Sequence, residues 1–184
     1  MRWLRFLAFF TLVGVAGCAT SPTPETYLVQ PEGVYRLDTG DVVRLAVYGE
    51  DQLSDLFKVD DAGQLSLPLI GSVGVRGLTT REAAGRIGSA LAQGFIRTPD
   101  VAVEVAEYRP FYIQGEVASS GQYAYVYGMS VRAAVSTAGG YTDTANRTAV
   151  IIYRRQGDQM VKGRVGLDFL IYPGDAIVVE ERFF

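Results

Sequence analysis

The chain has 184 residues, a formal net charge of −3, a single cysteine and no histidine. A single cysteine excludes an internal disulfide, and the lack of histidine excludes Ser-His and Cys-His nucleophile pairs and removes the most frequent metal ligand. Nucleic acids and anionic lipid headgroups bind clustered Lys and Arg, so the negative charge disfavours both as partners.

The N-terminus has the layout of a secretory signal. Two arginines precede an apolar run at residues 6–15, and small residues lead to Cys18. The run is shorter than the roughly 20 apolar residues of a transmembrane helix. The letters VAGC resemble the bacterial lipobox, which implies cleavage by signal peptidase II between Gly17 and Cys18 and a diacylglycerol on the sulfur. The alternative is an ordinary signal cleaved a few residues later, which leaves a free thiol.

Residues 18–33 are predicted to be a lipidated tether. Two or more acyl chains hold a protein stably on a membrane. Pro22, Pro24 and Pro31 with small polar neighbours favour an extended segment. Ala19, in place of an aspartate after the cysteine, resembles the pattern of lipoproteins passed to the outer membrane. We therefore expect a signal peptide at residues 1–17 and a lipid anchor at the periplasmic face of the outer membrane.

The first predicted elements follow a Gly40-Asp41 turn. Val43, Leu45 and Val47 alternate with other residues, as in a half-buried strand. The stretch from 57 to 67 is predicted to form a hairpin, closed by a turn at Asp60-Asp61-Ala62-Gly63. That turn lacks the alternating oxygen ligands of a calcium loop.

A helix and a strand complete the first half. Thr79 and Glu82 form a capping box, and Gly94 is the predicted stop. Residues 101–106 alternate as a strand, with its valines inward. One helix face is apolar, and its residues are Ala83, Ala84, Ile87 and Leu91.

The second half repeats this style in another order. Strands are predicted at 111–117, 123–127, 150–153 and 176–179, and a helix is predicted from Ser130 to Gly139-Gly140. The mixed order favours an α+β fold with two small domains, at residues 34–109 and 110–184. Each is expected to be a mixed β-sheet with one packed helix.

Six segments in this order resemble the polysaccharide export outer-membrane family, in which an export domain precedes a soluble-ligand-binding β-grasp (SLBB) module. They are YRLDTGDVVRLAVYGE, VDDAGQLSLPLIGSVGVRGLTTREAAGRI, TPDVAVEVAEYR, IQGEVASSGQY, SVRAAVSTAGGYTDTANRTAVIIYRR and YPGDAIVVEERFF. The resemblance implies a homo-oligomeric ring that guides a polysaccharide chain with an inner-membrane co-polymerase. Two departures are Ser120-Gly121 in place of Pro-Gly, and an end at Phe184 without the further module and membrane-crossing helix of the largest relatives. We therefore expect the ring to need a separate outer-membrane barrel.

Three further interpretations concern local chemistry. No nucleotide or nucleophile motif occurs, and Glu50 and Asp55 would serve a glycosidase only across a cleft, so we expect no enzyme, catalytic residue, cofactor or metal site. The two Gly-Asp pairs are interpreted as turns without a binding role. Three alternating tyrosines are interpreted as packing, as a subunit interface or as a stacking surface for sugar rings. They are Tyr123, Tyr125 and Tyr127.

A second function stays open from a different class: a solitary lipoprotein that binds a soluble glycan or vitamin through its β-grasp domain. A ring predicts a large assembly without a tight small ligand, whereas a capture protein predicts a monomer with one. In a ring, net negative charge is expected to discourage an acidic polymer from adhering.

Overall fold

The computed structural model describes residues 33–157 and 159–182. The predicted signal peptide, Cys18 and nearly all of the tether lie outside these residues. The strands are β1 Val42–Val47, β2 Asp55–Lys58, β3 Gln64–Leu67, β4 Gly71–Gly74, β5 Val101–Glu107, β6 Phe111–Gly115, β7 Gly121–Tyr123, β8 Ala149–Gln156, β9 Gln159–Gly166 and β10 Ala176–Val179. The helices are α1 Thr80–Leu91 and α2 Val131–Thr137, with a short 3₁₀ helix at Asp51–Leu53.

The first unit, residues 33–107, is built on β1. This strand pairs antiparallel with β2 on one side and β5 on the other. Val43, Leu45 and Val47 are buried as the alternation predicts, and the two residues between them are exposed. Helix α1 packs against β5 and closes the core.

The predicted hairpin across residues 57–67 is wrong in its pairing. The turn forms as expected, since the Asp60 carboxylate accepts from the Gln64 N–H at 2.8 Å and Gly63 has φ +79°. The strands on its two sides, however, belong to different sheets. β2 pairs with β1, whereas β3 pairs with β4, a strand that was not predicted. Turn chemistry specifies a change of direction but not the strand that the chain pairs with afterwards.

Helix α1 begins where the capping box predicts. The Thr79 hydroxyl accepts from the Glu82 N–H at 3.2 Å, and the Glu82 carboxylate accepts from the Thr79 N–H at 2.8 Å. Ala83, Ile87 and Leu91 are buried along one face. The helix ends at Leu91, three residues before the predicted stop at Gly94.

The second unit, residues 108–182, is a five-stranded sheet in the order β7-β6-β10-β8-β9. β10 runs parallel to β6, and the other neighbours are antiparallel. Ser130 caps α2 by accepting from the Ala133 N–H at 3.3 Å, as predicted. Val131, Ala134 and Val135 bury the apolar helix face in the core of this sheet. β9 was not predicted: Gly163 and Val165 are buried between exposed neighbours, but the inward position at Gly163 has no side chain to signal a strand.

The predicted strand at residues 123–127 is wrong beyond Tyr123. β7 ends at that residue, and the chain continues through a turn toward α2. Tyr125 is buried while Tyr127 is 66% exposed, so the two side chains do not share one face of a strand. Tertiary contacts override the period-two pattern here.

The buried residues form two separate hydrophobic clusters, one in each unit. The α+β class is confirmed, with one helix per cluster. Each cluster is closed by its own helix and sheet, so the side chains that bridge the two units belong to neither hydrophobic core. Those bridging side chains lie around residues 35–41 and 108–111.

Candidate functional site

Asp41 is a fully buried carboxylate at the junction of the two units. Its Oδ2 accepts from the Tyr35 hydroxyl at 2.7 Å and the Asp38 N–H at 2.9 Å, and its Oδ1 accepts from the Arg109 N–H at 3.0 Å. Gly40, with φ +94°, makes the turn that points the carboxylate inward. Asp41 therefore joins the entry to β1 to the segment that leads into the second unit.

Arg109 completes this junction with its guanidinium group. Nη1 donates to the Tyr35 hydroxyl at 3.1 Å and lies 3.5 Å from the Asp41 carboxylate, while Nη2 lies 3.5 Å from Asp38. Burial raises the pKa of Tyr35 well above its ordinary value, nearby Arg109 opposes that rise, and Asp41 reinforces it. Tyr35 consequently stays protonated and donates to Asp41 throughout the physiological pH range.

The second unit contains a turn of the same construction at Asp175. This carboxylate is 1% exposed and accepts from the N–H three residues before it, on Tyr172, at 2.7 Å. Arg154 donates to it twice, from Nε at 2.8 Å and from Nη2 at 2.7 Å. Gly174, with φ +85°, occupies the place that Gly40 has in the first unit. Each unit therefore anchors an arginine on a buried Gly-Asp turn.

Arg154 is itself buried, with 4% of its surface exposed. Its guanidinium carbon lies 4.8 Å from the Tyr172 ring centroid and 5.6 Å from that of Phe169, within cation–π range. Nη2 also donates to the Leu170 carbonyl at 3.2 Å. Nη1 has no hydrogen-bond partner among the described residues, which is rare for a buried N–H group.

A cleft of about 800 Å³ opens between the two units and is lined by residues from both. Arg109 crosses it and passes so close to Gly174 that a Cβ there would lie 2.9 Å from Nε. The first unit contributes Arg36, Asp38 and Thr39 to its wall, and the second contributes Arg154, Arg155, Gln156, Met160 and Tyr172. A cleft of this volume is within the range of sites for small organic ligands, about 300 to 1,000 Å³.

Tyrosine rings pack beside the junction. Tyr108 meets Tyr35 edge to face at 4.9 Å and Tyr125 at 5.4 Å, and lies nearly parallel to Tyr127 at 6.5 Å. Tyr123 instead stacks on Phe111 at 5.9 Å. Of the three tyrosines singled out from the sequence, Tyr123 and Tyr125 pack inside the second unit, and Tyr127 presents most of its ring to solvent. Contact with a neighbouring subunit or with glycan stays a prediction.

Other residues considered from the sequence lie elsewhere. Glu50 and Asp55 are exposed on either side of the 3₁₀ helix, and neither lines the cleft. The described residues contain no group of three or more acidic or cysteine side chains arranged to hold a metal ion. Within the same residues, no helix has the length and apolar character needed to cross a bilayer. Gly17 and Cys18 lie outside the described part of the chain.

Sequence reasoning missed the arginines that the two aspartates hold. Both Gly-Asp pairs were recognised as turns, but without a binding role. The shared signal was a Gly-Asp pair directly before an alternating apolar strand, since Asp41 precedes β1 and Asp175 precedes β10. The partners are far away in sequence, as Arg109 lies 68 residues after Asp41 and Arg154 lies 21 residues before Asp175. No local pattern links residues so distant.

Two family models match the chain in series. Residues 24–106 match the polysaccharide biosynthesis/export protein family, and residues 109–179 match the SLBB domain. The fold and the junction thus define a two-unit α+β protein with an export unit followed by an SLBB unit. The chain belongs to the polysaccharide biosynthesis/export family.

Curated relatives agree with this assignment. The exopolysaccharide production protein ExoF of Rhizobium meliloti (strain 1021) is 34% identical over 142 residues, which cover 70% of this chain and 34% of the relative. The EPS I polysaccharide export outer membrane protein EpsA of Ralstonia nicotianae is 29% identical over 166 residues, which cover 84% of this chain and 43% of the relative. EpsA of Ralstonia solanacearum is 28% identical over 182 residues, with 80% and 48% covered. The chain spans between a third and a half of the length of these relatives.

Proposed function

We propose that this protein is a lipid-anchored subunit of a polysaccharide export complex at the periplasmic face of the outer membrane, and that it is not an enzyme. The observation that carries the proposal is the pair of family matches, export domain then SLBB domain, across most of the chain. Relatives named for exopolysaccharide production and export support the same class of cargo.

The proposed anchor is Cys18. Its support is the sequence before it, in which an apolar run and small residues end at the cysteine. Cleavage between Gly17 and Cys18 and acylation of the sulfur would hold the mature protein on the membrane. A Cys18→Ser variant is expected to leave the membrane fraction and appear in the soluble periplasmic fraction. Unaltered membrane retention of this variant would contradict the anchor.

The proposed assembly is a ring of copies that works with an inner-membrane co-polymerase and a separate outer-membrane barrel. Large apolar side chains are exposed on both units, including Tyr48 at 87% and Tyr127 at 66%, and such residues favour contact surfaces. Head-to-tail contacts that close by rotation produce rings. Chemical cross-linking in intact cells is expected to give a ladder beyond the dimer, and Tyr127→Glu is expected to shorten it.

A solitary capture lipoprotein is the second candidate, and the cleft of about 800 Å³ is the observation that favours it. Assembly size separates the two functions. A monomer band alone after cross-linking, together with tight binding of a small glycan, would support the capture protein and contradict the ring.

The export function itself is tested by deletion of the gene and complementation. We expect deletion to lower extracellular polysaccharide and wild-type protein to restore it, with Cys18→Ser restoring less. Normal extracellular polysaccharide in the deletion strain would contradict the proposed function.

A further inference from the structure

The cleft between the units concentrates positive charge in a protein whose formal net charge is −3. Arginines outnumber acidic residues in its lining by four to one, since Asp38 is the single acidic residue among the described residues that line it. A net charge averages over the whole surface and does not describe this cleft. The expectation that negative charge keeps an acidic polymer from adhering therefore does not apply here.

Three of these arginines are already paired, and Arg154 is one of them, held by Asp175 inside the second unit. Arg36 pairs with Glu82 at 3.2 Å, and Arg109 pairs with Asp38 and Asp41 at 3.5 Å. Their charges are therefore largely compensated within the first unit and the junction. Any surplus of positive charge must come from the side of the cleft that the second unit supplies.

The second unit supplies that surplus from the end of β8. Arg155 is exposed and has no ion-pair partner among the described residues. Arg154 is 4% exposed, lines the same cleft, and carries the Nη1 group without a hydrogen-bond partner. Nη1 is itself buried beneath the cleft wall, so the exposed guanidinium of Arg155 is the group that an acceptor in the cleft reaches directly.

We propose that this cleft binds a carboxylate-bearing sugar residue of the glycan, with Arg155 holding the carboxylate. This inference rests on the proposed function in polysaccharide export. Guanidinium groups match the planar carboxylate, with two parallel N–H donors. The cleft is far larger than an inorganic anion needs, and apolar atoms of Met160 and Tyr172 line it beside the arginines. Such surfaces pack against the C–H faces of sugar rings, whereas a small inorganic anion would leave them uncovered.

The test is calorimetric titration of the full chain, purified in detergent, with trigalacturonate. The fully methyl-esterified trimer is the matched probe, because it keeps the sugar rings and removes the charge. We expect the acid to bind at least about tenfold more tightly than the ester, since hydrogen bonds between charged groups are the stronger ones. We also expect the affinity for the acid to fall as salt is added. Equal affinity for acid and ester would overturn the proposal.

Arg155→Ala locates the binding. The side chain is exposed and unpaired, so its loss is not expected to affect folding. We expect about tenfold weaker binding of trigalacturonate in Arg155→Ala and partial recovery in Arg155→Lys. Arg44→Ala is the matched control, since Arg44 is also an exposed strand arginine but does not line the cleft. An unchanged affinity in Arg155→Ala, or an equal loss in Arg44→Ala, would overturn the proposal.

Sedimentation of the same variants separates a glycan ligand from a neighbouring copy of the chain. If trigalacturonate does not bind and Arg155→Ala reduces the size of the assembly, the cleft receives a protein carboxylate, and the proposal is overturned. Failure here is distinct from failure of the proposed function. A protein that restores export in the deletion strain but does not bind the acid overturns only the cleft inference.

Discussion

Replacement of Arg154 by methionine tests the energetics of the second Gly-Asp turn. Arg154 and Asp175 have side-chain exposures of 5% and 1%, and two charge-assisted hydrogen bonds join them. In Arg154→Met, the Asp175 carboxylate retains the Tyr172 N–H but loses its cation. Methionine keeps the apolar stem of the side chain, so the loss of the guanidinium charge and its contacts dominates the effect.

The expected loss is about 3 to 5 kcal/mol in the free energy of unfolding, the range for breaking a buried ion pair at one partner. Domains unfold with about 5 to 15 kcal/mol, so this is a large fraction of the total. For a domain of 60 to 100 residues, the melting temperature of the second unit should fall by about 12 °C or more. Urea denaturation followed by far-UV circular dichroism measures the free energy of unfolding, and a thermal scan with the same signal measures the melting temperature.

A double variant and a matched control make the result interpretable. Arg154→Met/Asp175→Asn removes both charges and keeps an oxygen for the Tyr172 N–H, so we expect it to recover about 2 kcal/mol relative to Arg154→Met. The control is Arg164→Met on β9. Arg164 pairs with Glu180 at 3.0 Å and has a 49% exposed side chain, and its loss should cost under about 1 kcal/mol. If Arg154→Met cost no more than Arg164→Met, the reasoning about burial would be refuted.

Three further predictions concern the junction, the second sheet and the first helix. Asp41→Asn places an amide N–H donor next to the backbone N–H groups that donate to the carboxylate. We therefore expect a loss of about 3 kcal/mol in the free energy of unfolding and faster proteolysis between the units. Unchanged proteolysis would contradict the bridging role of Asp41. In Gly115→Ala, the new Cβ would lie 2.1 Å from the Val179 carbonyl oxygen, so β6 and β10 must separate. In Gly128→Ala, at φ +79°, the new Cβ meets open space, so the cost should be only the backbone strain of about 1 to 2 kcal/mol. Thermal melting should therefore show the larger loss of stability in Gly115→Ala. The Thr79 N–H lowers the pKa of Glu82, so the stabilisation is present above the ordinary value of 4.5 and is lost as the pH falls through the folded pKa. The difference in unfolding free energy between wild type and Glu82→Gln should therefore shrink on acidification below pH 4.5, and a constant difference would contradict the cap.

Local patterns were sufficient to predict most helices and strands. The capping box at Thr79 and the cap at Ser130 each depend on residues within three positions, and both helices begin where predicted. The alternation in β1 and β5 was also sufficient, because each has one face in the core. The pairing partner of β2 could not be predicted, since it depends on how the whole unit closes.

The cleft was beyond sequence reasoning for the same physical reason. Its two walls come from residues near 36 and near 155, and they meet only because the units pack through Asp41 and Arg109. The net charge of −3 also gave no sign of the cleft, because acidic residues elsewhere in the chain outweigh its arginines. The tyrosines of residues 123–127 drew attention by their alternation, yet the packing contacts of Tyr108 decide where two of them lie.

The location of newly made polysaccharide after acute depletion of the protein tests the export claim most directly. Cells would receive a pulse of labelled sugar, and the label would be followed in polymer from the medium and from the cell envelope. We predict that depletion lowers labelled polymer in the medium and raises it within the envelope, while total synthesis persists in the first minutes. An unchanged share of labelled polymer in the medium would contradict the account.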